Sequence, residues 1–338
     1  MSSLLTRRRM LGGLALSGFG AALGAGAAEW PVGSAFARPM QGLEILLAPN
    51  ASSIVLLRLM QGEAFAAAAP GASARIWRDT DDLRAAIISG RTRLFTTPTH
   101  VPANLANRGL PLKLLAILSM GHLSVVTADE GIATLHDLAG KEVLGFFRND
   151  MPDLVFRSIA RGAGMDPEKD IRLTYVQTPM EAAQMMASGR AATAVLSEPP
   201  AAMAIMMAAK DGRKLRRAID LQAAWRAQHN GLGLPMAGIA VHESLIEESP
   251  EIMAVLRTGL APARDWVLQD RPAAADLAQA KMEIRAPAFL AALDHFNVVA
   301  ESARSLKPGL VAFYEAILAL QPEALAGRLP ADGFYLDL

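Results

Sequence analysis

Ser89-Gly90-Arg91-Thr92-Arg93-Leu94-Phe95-Thr96-Thr97-Pro98 runs from the end of an amphipathic stretch through a short apolar segment into a polar loop. Ninety-nine residues further on, Ser188-Gly189-Arg190-Ala191-Ala192-Thr193-Ala194-Val195-Leu196-Ser197-Glu198-Pro199 does the same. In each copy a glycine follows the last apolar-periodic residue, which marks a helix end, and the apolar run beyond it reads as a buried strand. The starts match too. Thr80 can cap a helix with Asp81 and Asp82 in its first turn. Thr178-Pro179-Met180-Glu181 supplies a cap, a proline at the first helical position and a capping-box glutamate. Solenoid repeats recur every ~20–50 residues. A unit repeated at this longer distance predicts two similar α/β lobes, although helix–glycine–strand units recur in every α/β protein.

The pattern extends outward from these two copies. Leu43–Ala48 reads as a buried strand, the turn Pro49–Ser53 follows, and Ser52–Gly62 reads as a helix with Val55, Leu56, Leu59 and Met60 on its apolar side. Leu94-Phe95 is a strand remnant entering the polar turn 96–100. Leu114–Leu118, Leu123–Thr127, Val143–Phe147, Ile171–Val176 and Met236–Val241 are further strands. Asp150 caps a helix with Pro152 in its first turn. Beyond residue 200 helices dominate, at 201–209, from Ser249-Pro250-Glu251 to about Gln269, and at 273–281, 287–295 and 308–320. The basic run Arg213–Arg217 reads as a solvated face.

The first residues bound the destination. Thr6-Arg7-Arg8-Arg9-Met10-Leu11 opens a basic segment, a Gly/Ala-rich run follows to Ala28, and Ala35-Phe36-Ala37 offers a small-residue cleavage site. This is the layout of a signal peptide over residues 1–37, of twin-arginine type, cleaved near Ala37. Glycines interrupt the run, whereas a membrane span needs ~20 strongly apolar residues in succession. The chain has 33 basic and 33 acidic residues. Loss of the leader takes three arginines and Glu29 and leaves 30 and 32, which points to neither a nucleic acid nor an anionic membrane surface. Without cysteine there is no disulfide, thiolate metal site, cysteine nucleophile or lipoprotein anchor. The expected location is the periplasm.

Several stretches carry a resemblance. Leu83–Gly90 is followed by Gly109-Leu110-Pro111-Leu112-Lys113. Asp137-Leu138-Ala139-Gly140-Lys141-Glu142-Val143 leads into a strand, Ser197-Glu198-Pro199 ends one, and Pro250-Glu251 stands ahead of Ala263–Trp266. In order and spacing these resemble the periplasmic substrate-binding proteins of ABC importers, in the branch of nitrate, sulfonate, taurine and pyrimidine-precursor binders. The resemblance implies an α/β, type II-like fold of two lobes. Each lobe would be a mixed sheet flanked by helices, and two hinge crossings would lie near 119–126 and 231–239. Lobe 1 would hold residues 38–120 plus 236–338, and lobe 2 residues 121–235. It further implies a small-molecule ligand in the cleft, ABC permease and ATPase subunits as partners, and a monomer with no cofactor.

Ligands of open α/β sheets sit beyond the carboxyl ends of strands, where helix N-termini favour anions. The candidate ligand-binding residues on such strand ends are Asn50, Ser52, Thr97, Thr99, His100, Arg148, Asn149, Asp150 and Glu198. For each of them, capping a helix or completing a turn is the competing role. Asp150, Asp153 and Glu198 argue against an anion and leave room for a neutral or cationic ligand. Met180, Met185, Met186, Met203, Met206 and Met207 read as adaptable core packing at helical spacing rather than as a copper site. The six histidines show no metal-ligand spacing, with only His100 and His122 near the expected cleft or hinge. No nucleophile elbow or phosphate loop appears, so there is no catalytic candidate. The alternative is an exported enzyme or metal-handling accessory protein on the same scaffold.

Overall fold

A computed structural model describes residues 42–338, and the leader read over residues 1–37 lies outside them. The chain begins with β1 (Glu44–Leu47), α1 (Ser53–Met60), α2 (Glu63–Ala68), β2 (Ser73–Ile76), α3 (Thr80–Ile88), β3 (Leu94–Pro98), α4 (His100–Asn107), β4 (Leu112–Ser119) and β5 (Leu123–Thr127). The middle holds β6 (Glu142–Phe146), α5 (Met151–Gly162), β7 (Arg172–Val176), α6 (Pro179–Ala187), β8 (Thr193–Ser197), α7 (Pro200–Lys210), β9 (Arg216–Asp220) and α8 (Leu221–Gln228). It ends with β10 (Ala237–His242), α9 (Glu243–Glu248), α10 (Pro250–Gln269), α11 (Arg271–Met282), α12 (Ala286–Leu293), β11 (Val298–Ser302) and α13 (Lys307–Leu320).

These strands form two mixed sheets, ordered β11-β4-β10-β3-β1-β2 and β7-β6-β8-β5-β9. Both contain the same core. β2-β1-β3 are parallel with β10 antiparallel beside β3, and β7-β6-β8 are parallel with β5 antiparallel beside β8. The repeated Ser-Gly-Arg turns agree down to single hydrogen bonds. Ser89 Oγ donates to Ala86 O and accepts from Arg91 Nε, while Ser188 Oγ donates to Met185 O and accepts from Arg190 Nε. Gly90 and Gly189 take φ of 71° and 76°, a region open to glycine at no steric cost.

The chain passes from one sheet to the other twice. Met120–His122 joins β4 to β5, and residues 229–236 return from α8 to β10. The crossings meet the first sheet side by side, since Ser119 and Ala237 are cross-strand partners. The Gln222 carboxamide oxygen, buried on α8, accepts from Gly121 N in one crossing and Leu234 N in the other, each at 3.1 Å. One apolar core reaches both sheets through α4, α5, α8 and α13, where Phe313 meets Trp225 edge-on at 6.2 Å. A second core packs α1, α10 and α11 on the first sheet, and a third packs α6 and α7 on the second. Each fully buried Leu, Ile or Phe there contributes about 1.5–3 kcal/mol relative to exposure.

Some local expectations are corrected. Asp79, not Thr80, caps α3, because its carboxylate accepts from both Asp81 N and Asp82 N. The polar turn 96–100 is mostly strand and helix, with β3 reaching Pro98 and α4 starting at His100. Arg213–Arg217 is not a solvated face. Arg213 bonds the carbonyl of Ser188, Arg216 bonds those of Asp129 and Glu130, and Arg217 Nε pairs with the buried Glu198 at 2.6 Å. Of the methionines, Met186 is fully buried, but Met207 is 40% exposed, because α7 turns that side outward. Among the described residues no helix is long and apolar enough to cross a membrane.

Candidate functional site

A cavity of about 300 Å³ opens at the strand ends of both sheets. From the first sheet and its connections come Asn50, Trp77, Arg78, Thr80 and Pro98; from the second come Phe146, Phe147, Asp150, Thr178, Met180 and Ser197; His122 and Met236 come from the two crossings. The loop after β6 builds much of one wall. Phe147 holds φ of 50° and Asn149 φ of 61°. The left-handed region is uncommon for a bulky side chain, and such backbones gather where a surface is shaped for function.

Asp150 closes that loop as the cap of α5, its Oδ1 accepting from Met151 N at 2.7 Å. The same Oδ1 lies 2.9 Å from Nε2 of His100, the first residue of α4 on the other sheet. Burial pushes the Asp150 carboxyl up, but the hydrogen bond and charge of His100, with Met151 N–H and Arg84, outweigh it and bring the pKa down to about 2. His122 lies on the cavity wall with its ring stacked on Phe296 at 4.7 Å. Burial lowers its pKa to about 4 despite the Met120 carbonyl, so the imidazole is neutral at pH 7.

The nine residues selected from strand ends divide by side-chain direction. Asn50 and Asp150 line the cavity. Ser52 is buried and bonds Asn50 Oδ1. Thr97 bonds Pro98 O, and Thr99 bonds Pro235 O. His100 is buried behind Asp150. Glu198 is buried against Arg217, and its other oxygen accepts from Ala202 N. Arg148 and Asn149 line a different concavity with Arg157, Glu168 and Tyr175, where Arg148 stacks over Tyr175 at 5.5 Å. Asp153, expected at the cleft, is buried away from it and accepts from Asn149 N and Tyr175 Oη. Among the described residues no group of three or more His, Asp or Glu side chains is placed to hold a metal ion.

The model of the NMT1-like family matches residues 106–282, more than half of the 338 residues. This chain belongs to the NMT1-like family. No curated protein matches the sequence. Solved structures do resemble this NMT1-like protein in fold. An ABC transporter protein of Parabacteroides distasonis is 19% identical with a TM-score of 0.72, over 87% of this chain and 98% of that one. The periplasmic aliphatic sulphonate binding protein of Escherichia coli is 18% identical with a TM-score of 0.65, over 88% and 99%. The periplasmic nitrate-binding protein of Synechocystis is 12% identical with a TM-score of 0.60, over 85% and 84%. The fold is therefore the two-lobe fold of periplasmic binding proteins.

Sequence reasoning about this NMT1-like chain missed the apolar wall. Trp77, Phe146, Phe147, Met180 and Met236 look like core residues in one dimension, because a cavity wall and a core need the same side chains. His122 carried a usable signal, since it stands in the segment read as a crossing.

Proposed function

We propose that this NMT1-like protein is the extracytoplasmic solute-binding component of an ABC importer. It holds one small molecule without covalent chemistry in the cavity between its sheets, swings closed on it, and presents the closed form to a permease driven by ATPase subunits. In this reading the twin-arginine leader carries it to the periplasm and is removed near Ala37. The mature chain is a monomer with no cofactor, and it catalyses no reaction. Lobe 1 is 38–120 plus 236–338, and lobe 2 is 121–235.

The observation that supports this best is the cavity's make-up. Its walls come from the strand ends of both sheets and from both crossings, so a hinge motion opens and shuts it. Its volume falls at the small end of the ~300–1,000 Å³ usual for small-molecule sites. Likeness to binding components of importers across nearly the whole length of those proteins agrees with it. Native mass spectrometry of the gently purified exported chain tests the proposal. A solute present at 100 times its Kd stabilises the fold by about 2.7 kcal/mol and should remain bound. One retained small mass per chain is expected. Turnover of that molecule, or a stoichiometric metal in its place, would overturn the proposal.

A further inference from the structure

The cavity's chemistry narrows the solute, on the assumption that the chain is a solute receptor. We infer that it takes an uncharged, largely apolar molecule with a flat ring and at least one N–H or O–H donor, and that it rejects oxyanions.

The first observation concerns the helix ends that would hold an anion. A helix N-terminus attracts an oxyanion through free N–H groups. Around this cavity many of those groups are missing or spent. Pro152, Pro179 and Pro200, each in the first turn of its helix, have no N–H at all. Met151 N is donated to Asp150 Oδ1, Glu181 N to Thr178 Oγ1, and Ala202 N to Glu198 Oε2. On the first sheet Ser52 N goes to Asn50 Oδ1, and Ser53 N to Asn50 O. An anion entering here would lose its water and recover few backbone donors from these helix ends, which makes its burial less favourable.

The second observation concerns charge on the walls. Asp150 faces the space as an ionised carboxylate whose Oδ1 already holds hydrogen bonds with His100 Nε2 at 2.9 Å and Met151 N at 2.7 Å. Arg78 reaches the rim with its side chain 81% exposed and Asp82 at 3.9 Å. A carboxylate with two donors already on one oxygen, and an arginine held out in solvent, ask for little counter-charge from a ligand, and His122 brings no charge at pH 7.

The third observation concerns shape and the remaining polar capacity. Trp77, Phe146, Phe147 and His122 bring aromatic rings to the walls, alongside Leu123, Met151, Met180 and Met236. Trp77 Nε1 is donated to Thr96 O, so only its ring is on offer. Aromatic walls of this kind favour a flat partner stacked or edge-on. Asp150 Oδ2 has a distant hydroxyl, Thr80 Oγ1 at 3.5 Å, and so retains room to accept a hydrogen bond from the solute.

Calorimetric titration with benzamide, benzoate and benzylamine, which share a ring and differ in charge, tests this directly, with methanesulfonate and nitrate beside them. Benzamide is expected to bind at least about tenfold more tightly than benzoate, with no binding of the two small oxyanions. Tighter binding of benzoate, benzylamine, methanesulfonate or nitrate than of benzamide would leave the receptor reading standing and overturn this inference. If none of the five binds, the mass retained in native spectrometry decides. An uncharged ring compound upholds the inference, an ionised solute overturns it alone, and a bare chain overturns it together with the receptor reading.

Discussion

His122 makes the structure sensitive to acid. Its folded pKa of about 4 lies below the 6.5 it has when unfolded, so on acidification the unfolded chain takes the proton first. The resulting stability is complete above pH 6.5 and is lost as pH falls towards 4, by roughly 3 kcal/mol in all. Denaturant melts between pH 7 and 4 should show this slope, and His122→Asn, which has no proton to gain there, should flatten it. Residue by residue, the sequence was most legible where one side chain acts on its own backbone. Asp150 and Thr178 cap the helices expected of them. It was less legible where a polar loop residue had to choose a partner. Thr97, Thr99 and Glu198 have the donors and acceptors a ligand needs, but the fold brings Pro98 O, Pro235 O and Arg217 within reach, and neighbours at fixed distance win.

At the scale of elements, the strands that escaped the sequence reading are β2, β9 and β11, and all three lie at sheet edges. An edge strand is short and half-exposed, so Ser73–Ile76 and Arg216–Asp220 need not alternate apolar with polar residues. The interior strands β4, β5 and β8 are almost wholly buried and stand out as apolar runs. Interior strands also tolerate least. A Cβ on Gly238 of β10 would lie 2.2 Å from the Ala116 carbonyl oxygen of β4, and backbone there cannot yield cheaply. Gly238→Ala should cost about 3 kcal/mol, at the upper end of overpacking. Gly259→Ala in α10 would also be close, at 2.3 Å, but only to the flexible tip of Leu59. The helix gains about 1 kcal/mol from alanine, so that variant should melt near the wild type. Thermal melts of the two variants check the contrast.

For the molecule as a whole, the hydrogen bond between His100 and Asp150 ties α4 of one sheet to α5 of the other. A hydrogen bond to a charged group contributes about 1.5–3 kcal/mol, enough to move an open–closed ratio by roughly tenfold or more. Asp150→Asn keeps the helix cap and weakens the pair, so the solute-free protein should show a larger radius of gyration in small-angle X-ray scattering. An unchanged radius would mean that the cores alone hold the sheets together. The two-lobe plan was legible because the repeat at Ser89 and Ser188 is local. The pairing of His100 with Asp150 joins residues 50 apart from different sheets, and no local pattern announces it.

The Gln222 carboxamide has a kinetic consequence. One oxygen receives Gly121 N–H and Leu234 N–H, so both protections depend on the position of one side chain. Amide hydrogen exchange at these two positions should therefore be synchronous, with a common opening rate, although they lie 113 residues apart in the chain. Gln222→Ala should release both protons to solvent at once, which would make the pair an isotope clock for the hinge motion proposed above.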